Sequence, residues 1–276
     1  MPLVYAFSDG AGSAAAVPLV EEVRDVLKGV DWCDVRVSER EHNMGLGGSI
    51  RAGVTDVLED HDRIVVVEDD LILRDGAYDY TCRALDHYAN DSTVASVSMW
   101  SHPSLVPTGS QVGFFANRPY CWGWGTYREY WEKYSGTPQE MYDACLQAGI
   151  DPLLWGKDIK WQVDRAVARN LWYVGFALTH ILHEWLSYYP AESLAGNIGF
   201  DGTGGNCGNA DWILEREKRN TEGTVDCPES WPEITLDDET KERFQAYFLP
   251  GRKSLFRKLL KWACVVRDRL VGPGGT

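Results

Sequence analysis

No two cysteines in this chain stand in a C-x-x-C spacing, and its seven cysteines, Cys33, Cys82, Cys121, Cys145, Cys207, Cys227 and Cys264, are scattered and odd in number. A zinc ribbon or a disulfide framework needs regularly paired thiols, so both are set aside and a reducing compartment is expected. Positive charge is scarce too: 27 Lys and Arg face 41 Asp and Glu, a formal net charge of -14 over 276 residues. A surface of that sign repels a phosphate backbone, which excludes non-specific nucleic-acid binding but not a nucleotide held through a metal. No apolar run is long enough to span a bilayer, no cleavable signal is recognisable, and no repeat has a solenoid period. The expectation is a soluble, cytoplasmic protein.

What the chain has is apolar and aromatic content, 44% hydrophobic residues with 12 Trp and 13 Tyr, enough for a sizeable core. Its first 100 residues alternate. "PLVYAFSDG" reads as a strand and turn, and "AVPLVEEVRDVLKGV" as a helix stopped by Gly29. "DVRVSERE" is a second strand and "GGSIRAGVTDVLED" a second helix; "DRIVVVEDDLIL", "GAYDYTCRALDHYAN" and "TVASVSMWS" continue as strand, helix and strand. Such alternation predicts an α/β fold, a Rossmann-like, mainly parallel sheet with helices on both faces and its ligand crevice beyond the strands' carboxyl ends. Residues 1–100 form the first part of this domain and residues 101–210, rich in Trp, Tyr and Gly, the second. Residues 211–276 read as an extension: a Pro- and acid-rich linker, "DCPESWPEITLDDET", then an amphipathic helix with seven basic residues, "GRKSLFRKLLKWACVVRDRL".

At the crevice edge the valines of Ile64–Val67 run into Glu68, Asp69 and Asp70. Three adjacent carboxylates at a strand end repel one another unless water or a cation offsets them. A hard divalent ion, Mn²⁺ or Mg²⁺, takes few protein oxygens and completes its shell with water and diphosphate. The competing explanation is an exposed acidic turn.

In order along the chain, "SDG", "EREHNMGLGGSIRAGV", "IVVVEDDLIL" and "CWGWGTYREYW" resemble the GT-A glycosyltransferases, and among them bacterial and archaeal sugar transferases related to N-acetylglucosaminyltransferase I. The resemblance covers roughly Leu3 to Cys207. It implies that Asp70 binds Mn²⁺ or Mg²⁺, that Glu68 and Asp69 face the donor's ribose and sugar, and that Asp9, Asn43, Gly45 and Gly47 line the nucleotide pocket. From the residues alone, Asp9 serves equally well as an Asx-turn residue, and the glycines as a tight turn before a helix. The resemblance also implies that the family's first strand and helix, roughly 30 residues by the usual size of such a unit, belong before Leu3. Their loss would expose two ladder edges and open one wall of the pocket.

An inverting transferase needs a carboxylate to take the acceptor's proton. By the resemblance that base follows an acceptor loop, here "CWGWG" with Trp122 and Trp124 as acceptor contacts. "LLWGKDIKWQVDRAV" offers Asp158, flanked by Trp155 and Trp161, and as the alternative Asp164. Pairing with Lys157 or Arg165 on a helix surface is the bland role for both, and core packing is the expected role of Trp131. "HILHEW" is not H-E-x-x-H and is read as helix core or surface rather than a zinc site. "NIGFDGTGGNC" resembles a family loop that folds near the active site, with Asn206 where the family often has His. Together these imply a transferase moving a sugar, N-acetylglucosamine being the named candidate, from a UDP-sugar donor to a glycan or lipid-linked acceptor. The basic C-terminal helix would give peripheral contact with the inner face of an anionic membrane, or fold back on the acidic body. A transferase-like protein that binds nucleotide or glycan without turnover is the second reading. A nucleotidyltransferase is the third, and it lacks its G-x-G-x-R loop.

Overall fold

The structure, a computed structural model, describes residues 2–202 and 210–250. Asn206, Cys207 and the basic C-terminal segment lie outside the described residues. The chain is α/β. It runs β1 (Leu3–Ser8), α1 (Val17–Lys28), β2 (Asp34–Glu39), α2 (Gly45–Asp60), β3 (Arg63–Val66), β4 (Leu71–Leu73), α3 (Ala77–Tyr88), β5 (Val94–Ser98), β6 (Gly113–Ala116) and β7 (Trp124–Tyr127). Then come α4 (Arg128–Trp131), α5 (Pro138–Gln147), α6 (Ile159–Arg169), α7 (Tyr173–Leu182), β8 (Leu186–Pro190), β9 (Ala195–Asn197), α8 (Asp211–Arg219) and α9 (Asp238–Tyr247). The strand–helix alternation expected over the first 100 residues is therefore present, with one difference: the acids interrupt "IVVVEDDLIL", splitting it into β3 and β4.

The main sheet has five strands in the order β3-β7-β5-β8-β6. It is mixed, not mainly parallel: β5 and β8 run parallel, while the β3–β7, β7–β5 and β8–β6 pairs are antiparallel. The antiparallel pairs all involve strands of the aromatic second part: β7 returns between β3 and β5, and β6 adds to the far edge beside β8. Successive side chains point to opposite faces, so Phe115 and Tyr188 join a core under α3, and Phe114 and Tyr189 join one under α7 and α9. Helices thus cover both faces. Every residue of β5, β6, β7 and β8 is buried.

The other edge is different. β1 and β2 form a separate parallel pair, and among the described residues no ladder joins β1 to β3. The connection runs through α2, where Gly53 packs on Phe7, and through Tyr5 Oη bonded to His61 Nε2 at 2.8 Å. No residue of α1 is buried; Leu19, Val23 and Val26, at helical spacing, remain exposed.

The segment read as a linker is a strap packed on the body. Trp231 stacks on His87 and meets Tyr80, Tyr88 and Tyr188 edge to face, and Tyr88 Oη donates to Pro232 O at 3.1 Å. Asp237 then caps α9 by accepting from Thr240 N–H; the helix buries Phe244, and Phe248 just beyond its end is buried too. Among the described residues no helix is long and apolar enough to cross a membrane.

Candidate functional site

Glu68, Asp69 and Asp70 lie in the turn between β3 and β4, closed by Leu71 N–H donating to Glu68 O at 3.2 Å. β4 pairs with β9, setting Leu71 opposite Asn197, and this ribbon brings residues 197–199 over Asp70. Asn197 Nδ2 donates to Asp70 Oδ2 at 2.9 Å, and Ile198 N–H to Asp70 O at 2.8 Å. The loop comes so close that a Cβ on Gly199 would lie 2.7 Å from Asp70 Oδ2. The other carboxylate oxygen, Asp70 Oδ1, is buried and accepts no hydrogen bond. An orphaned carboxylate oxygen is costly in a low-dielectric surround unless something positive reaches it.

The electrostatics agree. Burial, reinforced by Asp70 and Asp69, pushes the Glu68 carboxyl up to about 7. Burial also raises Asp70, against the opposing effect of the Asn197 bond. This turn is short of positive charge. Among the described residues no group of three or more His, Cys, Asp or Glu is placed to hold a metal ion. The donor set therefore does not make a protein-only cage. What it offers is one unpartnered carboxylate oxygen, which could supply a single ligand to a hard divalent ion whose other ligands would not come from this turn.

Beside the acids stands an aromatic wall. Partly exposed Trp122 meets Phe200, Tyr120 and Trp100 edge to face at 5.7, 5.3 and 5.2 Å, and Trp100 stacks on Tyr120 at 4.3 Å. Trp124 is not part of it. It is 1% exposed, stacked between Trp131 and Trp172, so its expected role as an acceptor contact is corrected to core packing; left-handed Gly123 (φ 74°) turns the chain between the two tryptophans, and Trp124 opens the fully buried β7. Trp131 is core, as expected.

Asp158 lies just before α6, 9% exposed, and its partner is neither Lys157 nor Arg165 but the fully buried Arg118. Arg118 Nη1 reaches Asp158 Oδ1 at 2.7 Å and Nη2 reaches Oδ2 at 3.1 Å, while Gln162 Nε2 donates to Oδ2 at 2.6 Å. Burial alone would raise this carboxyl, but the guanidinium more than offsets it and holds Asp158 below the usual carboxylate range. Phe248 covers the arginine at 3.9 Å from its ring centre, and its carbonyl accepts from Asp158 N–H. Asp164, in contrast, is exposed and paired with Lys160 one turn away. Of the two candidate bases, only Asp158 connects to the aromatic wall, through Arg118, Tyr173 and Tyr120.

Asp9 caps α2: Oδ1 accepts from Met44 N–H and Oδ2 from Gly45 N–H, both at 2.9 Å. Asn43 Nδ2 ties the neighbouring turn by donating to Gly10 O. Gly45 and Gly47 fall inside the first turn of α2 and approach Asn170, the left-handed residue that ends α6. A Cβ on Gly47 would sit 2.4 Å from Asn170 O. Gly47→Ala gains about 1 kcal/mol of helix propensity. Because the neighbour is backbone that must move, the overpacking cost of about 1–3 kcal/mol prevails. Thermal unfolding should show Gly47→Ala less stable than the parent.

Neither a scan against protein-family models nor a search of the curated proteins finds a match to this chain.

Several residues of this region had no signal in the sequence. Arg118 stands in "NRPY", an unremarkable turn, and Asn197 opens the loop read as lying near the site without being singled out. Glu217, fully buried on α8, accepts from Trp100 Nε1 and Asn220 Nδ2, each at 3.1 Å, and pairs with Arg216. In "HILHEW", His180 is buried between Ser96 Oγ and Phe176 O, and His183 stacks on Trp185. A groove of about 720 Å³ lined by His61, Arg63, Tyr127 and Arg128 lies at the opposite end of β3 from the acids. Its arginines are already paired, with Asp86 and Asp62.

Proposed function

We propose that this protein is a metal-dependent GT-A-type glycosyltransferase that moves a sugar, with N-acetylglucosamine the first candidate, from a UDP-sugar to a glycan or lipid-linked acceptor with inversion. The observation that carries the reading is the buried, unpartnered Oδ1 of Asp70 at the end of β3, beside an aromatic wall. Asp70 would hold Mn²⁺ or Mg²⁺, which when bound neutralises the charge developing on the diphosphate leaving group. Glu68 and Asp69 face the donor in this reading, with Asp9, Asn43, Gly45 and Gly47 forming the nucleotide side. Trp122 offers a partly exposed ring for the C–H face of an acceptor sugar. The acceptor oxygen attacks the anomeric carbon, the bond from that carbon to the diphosphate breaks with its electron pair leaving on UDP, and Asp158 takes the acceptor's proton. Because Arg118 lowers its proton affinity, Asp158 is charged at neutral pH and receives the proton late, once attack has made the hydroxyl acidic. The protein would act in the cytoplasm, with the basic C-terminal segment meeting the inner face of the membrane where lipid-linked acceptors reside.

Calorimetric titration of UDP with and without Mn²⁺ tests this on the parent and on Asp70→Asn. Mn²⁺-dependent binding that is lost in the variant is the expected result; equal binding in both overturns it. A second reading, nucleotide or glycan binding without turnover, draws on the ion pair that occupies both Asp158 oxygens and on Asn170 filling the glycine turn. Mn²⁺-dependent UDP binding with no release of UDP from any UDP-sugar tried would favour it.

A further inference from the structure

The carboxylate of Asp70 is held asymmetrically, and one side chain is responsible. Asn197 is 1% exposed and uses both ends of its amide: Nδ2 donates to Asp70 Oδ2, and Oδ1 accepts from Gly199 N–H at 2.9 Å. The second bond is an Asx-turn that shapes the strand end, and it fixes which way the amide faces. Ile198 N–H holds the Asp70 carbonyl from the same loop. Two bonds, from Asn197 Nδ2 and Ile198 N–H, therefore hold one carboxylate oxygen and the carbonyl of Asp70, the Gly199 bond steadies the Asn197 amide, and Oδ1 is left without a partner. Gly199 permits the approach, since a Cβ there would press on Oδ2. A freely rotating Asp exchanges its two oxygens; the Asn197 bond favours one of the two orientations.

We propose that Asn197 is a positioning residue that presents Asp70 Oδ1 to a divalent cation, so that the 197–199 turn is part of the metal site although it supplies no ligand. The inference rests on the metal reading of Asp70 and adds to it. The amide neutralises part of the carboxylate's hydrogen-bonding demand on one side, orients the remaining oxygen, and fixes it before binding, the role that outer-shell partners of metal ligands fill.

The test is Mn²⁺ binding followed by loss of the free-ion paramagnetic resonance signal, with saturating UDP, on the parent, Asn197→Ala, Asn197→Ser and Asp70→Asn. Serine can still accept from Gly199 N–H as a Ser turn but is too short to donate to Asp70, so it keeps the turn and removes the orienting bond. Metal-free unfolding of each variant is measured alongside. The expected result is Mn²⁺ affinity lower by roughly 10- to 100-fold in both Asn197 variants, with Asn197→Ser still folded. Affinity within about twofold of the parent in a folded Asn197→Ser, while Asp70→Asn loses binding, overturns the positioning role and leaves the metal reading intact. Mn²⁺ binding absent from the parent, or unchanged in Asp70→Asn, overturns both.

Discussion

Replacing Arg118 by methionine should destabilise the protein by about 3–5 kcal/mol, because it leaves the Asp158 carboxylate buried without its counter-charge. Arg118 is 1% exposed and spends four hydrogen bonds on Tyr173 Oη, Trp155 O and the two Asp158 oxygens. Methionine fills most of the volume under Phe248 but offers no donor. The deficit should belong to the stranded charge more than to lost packing. The double variant Arg118→Met/Asp158→Leu should therefore recover most of the stability, since a buried ion pair replaced as a whole is often neutral. Urea unfolding of the single and double variants reads both numbers. A single-variant loss under about 1 kcal/mol would mean that water reaches the pair, as at an exposed salt bridge. The double variant should nevertheless show no transfer activity, having lost the proposed base.

Acidification should unfold the protein through His180. Its imidazole is fully buried: Nδ1–H donates to Phe176 O at 3.1 Å, and in the neutral ring Nε2 accepts from Ser96 Oγ at 2.9 Å. Burial, against the opposing Phe176 bond, pushes its pKa from 6.5 down to about 3. In the unfolded chain the ring takes up a proton near 6.5, whereas the folded protein keeps it neutral until about pH 3. The neutral ring's contribution is thus fully present above pH 6.5 and is lost as the pH falls from there toward 3. At 1.36 kcal/mol per unit, the window is worth up to about 4–5 kcal/mol. His180→Gln keeps a donor and an acceptor but does not titrate. Its unfolding free energy between pH 7 and 4.5 should fall less steeply than the parent's, by close to one proton. Equal slopes would show that His180 does not drive the loss.

The local pattern of the first 100 residues was legible because it rests on short-range signals. Apolar runs of four or five residues gave β1, β3 and β5, and Val17, Val20, Val23, Val26 and Leu27 at helical spacing gave α1, although Val17, Val23 and Val26 of that set are exposed. Sheet topology was not legible. The antiparallel insertion of β7 between β3 and β5 depends on where "WGTY" returns in space, and nothing in its residues fixes its neighbours. The same gap explains Trp124: two tryptophans two residues apart look alike in a Gly-rich loop, and only the start of β7 between them sends one to the core. The acids were visible as a cost without an evident compensation, and Asp70 Oδ1 is that cost in atomic form. Arg118 was invisible because its partner lies 40 residues away, and no local spacing encodes such a bond.

The break between β1 and β3 bears on cooperativity. Among the described residues, the unit made of β1, α1 and β2 has no ladder to the main sheet and no buried residue in α1 or β2, and it is held mainly by α2 and by the grip of Asp9 on the first turn of that helix. So few buried contacts imply a local opening free energy below that of the whole protein, so its amides should exchange with solvent before those of β5 and β8. A ligand that touches both Asp9 and Asp70 binds only molecules in which the unit is seated, and its apparent affinity is reduced by the seated fraction. Tightening the seam, without touching either aspartate, would therefore strengthen the proposed nucleotide binding.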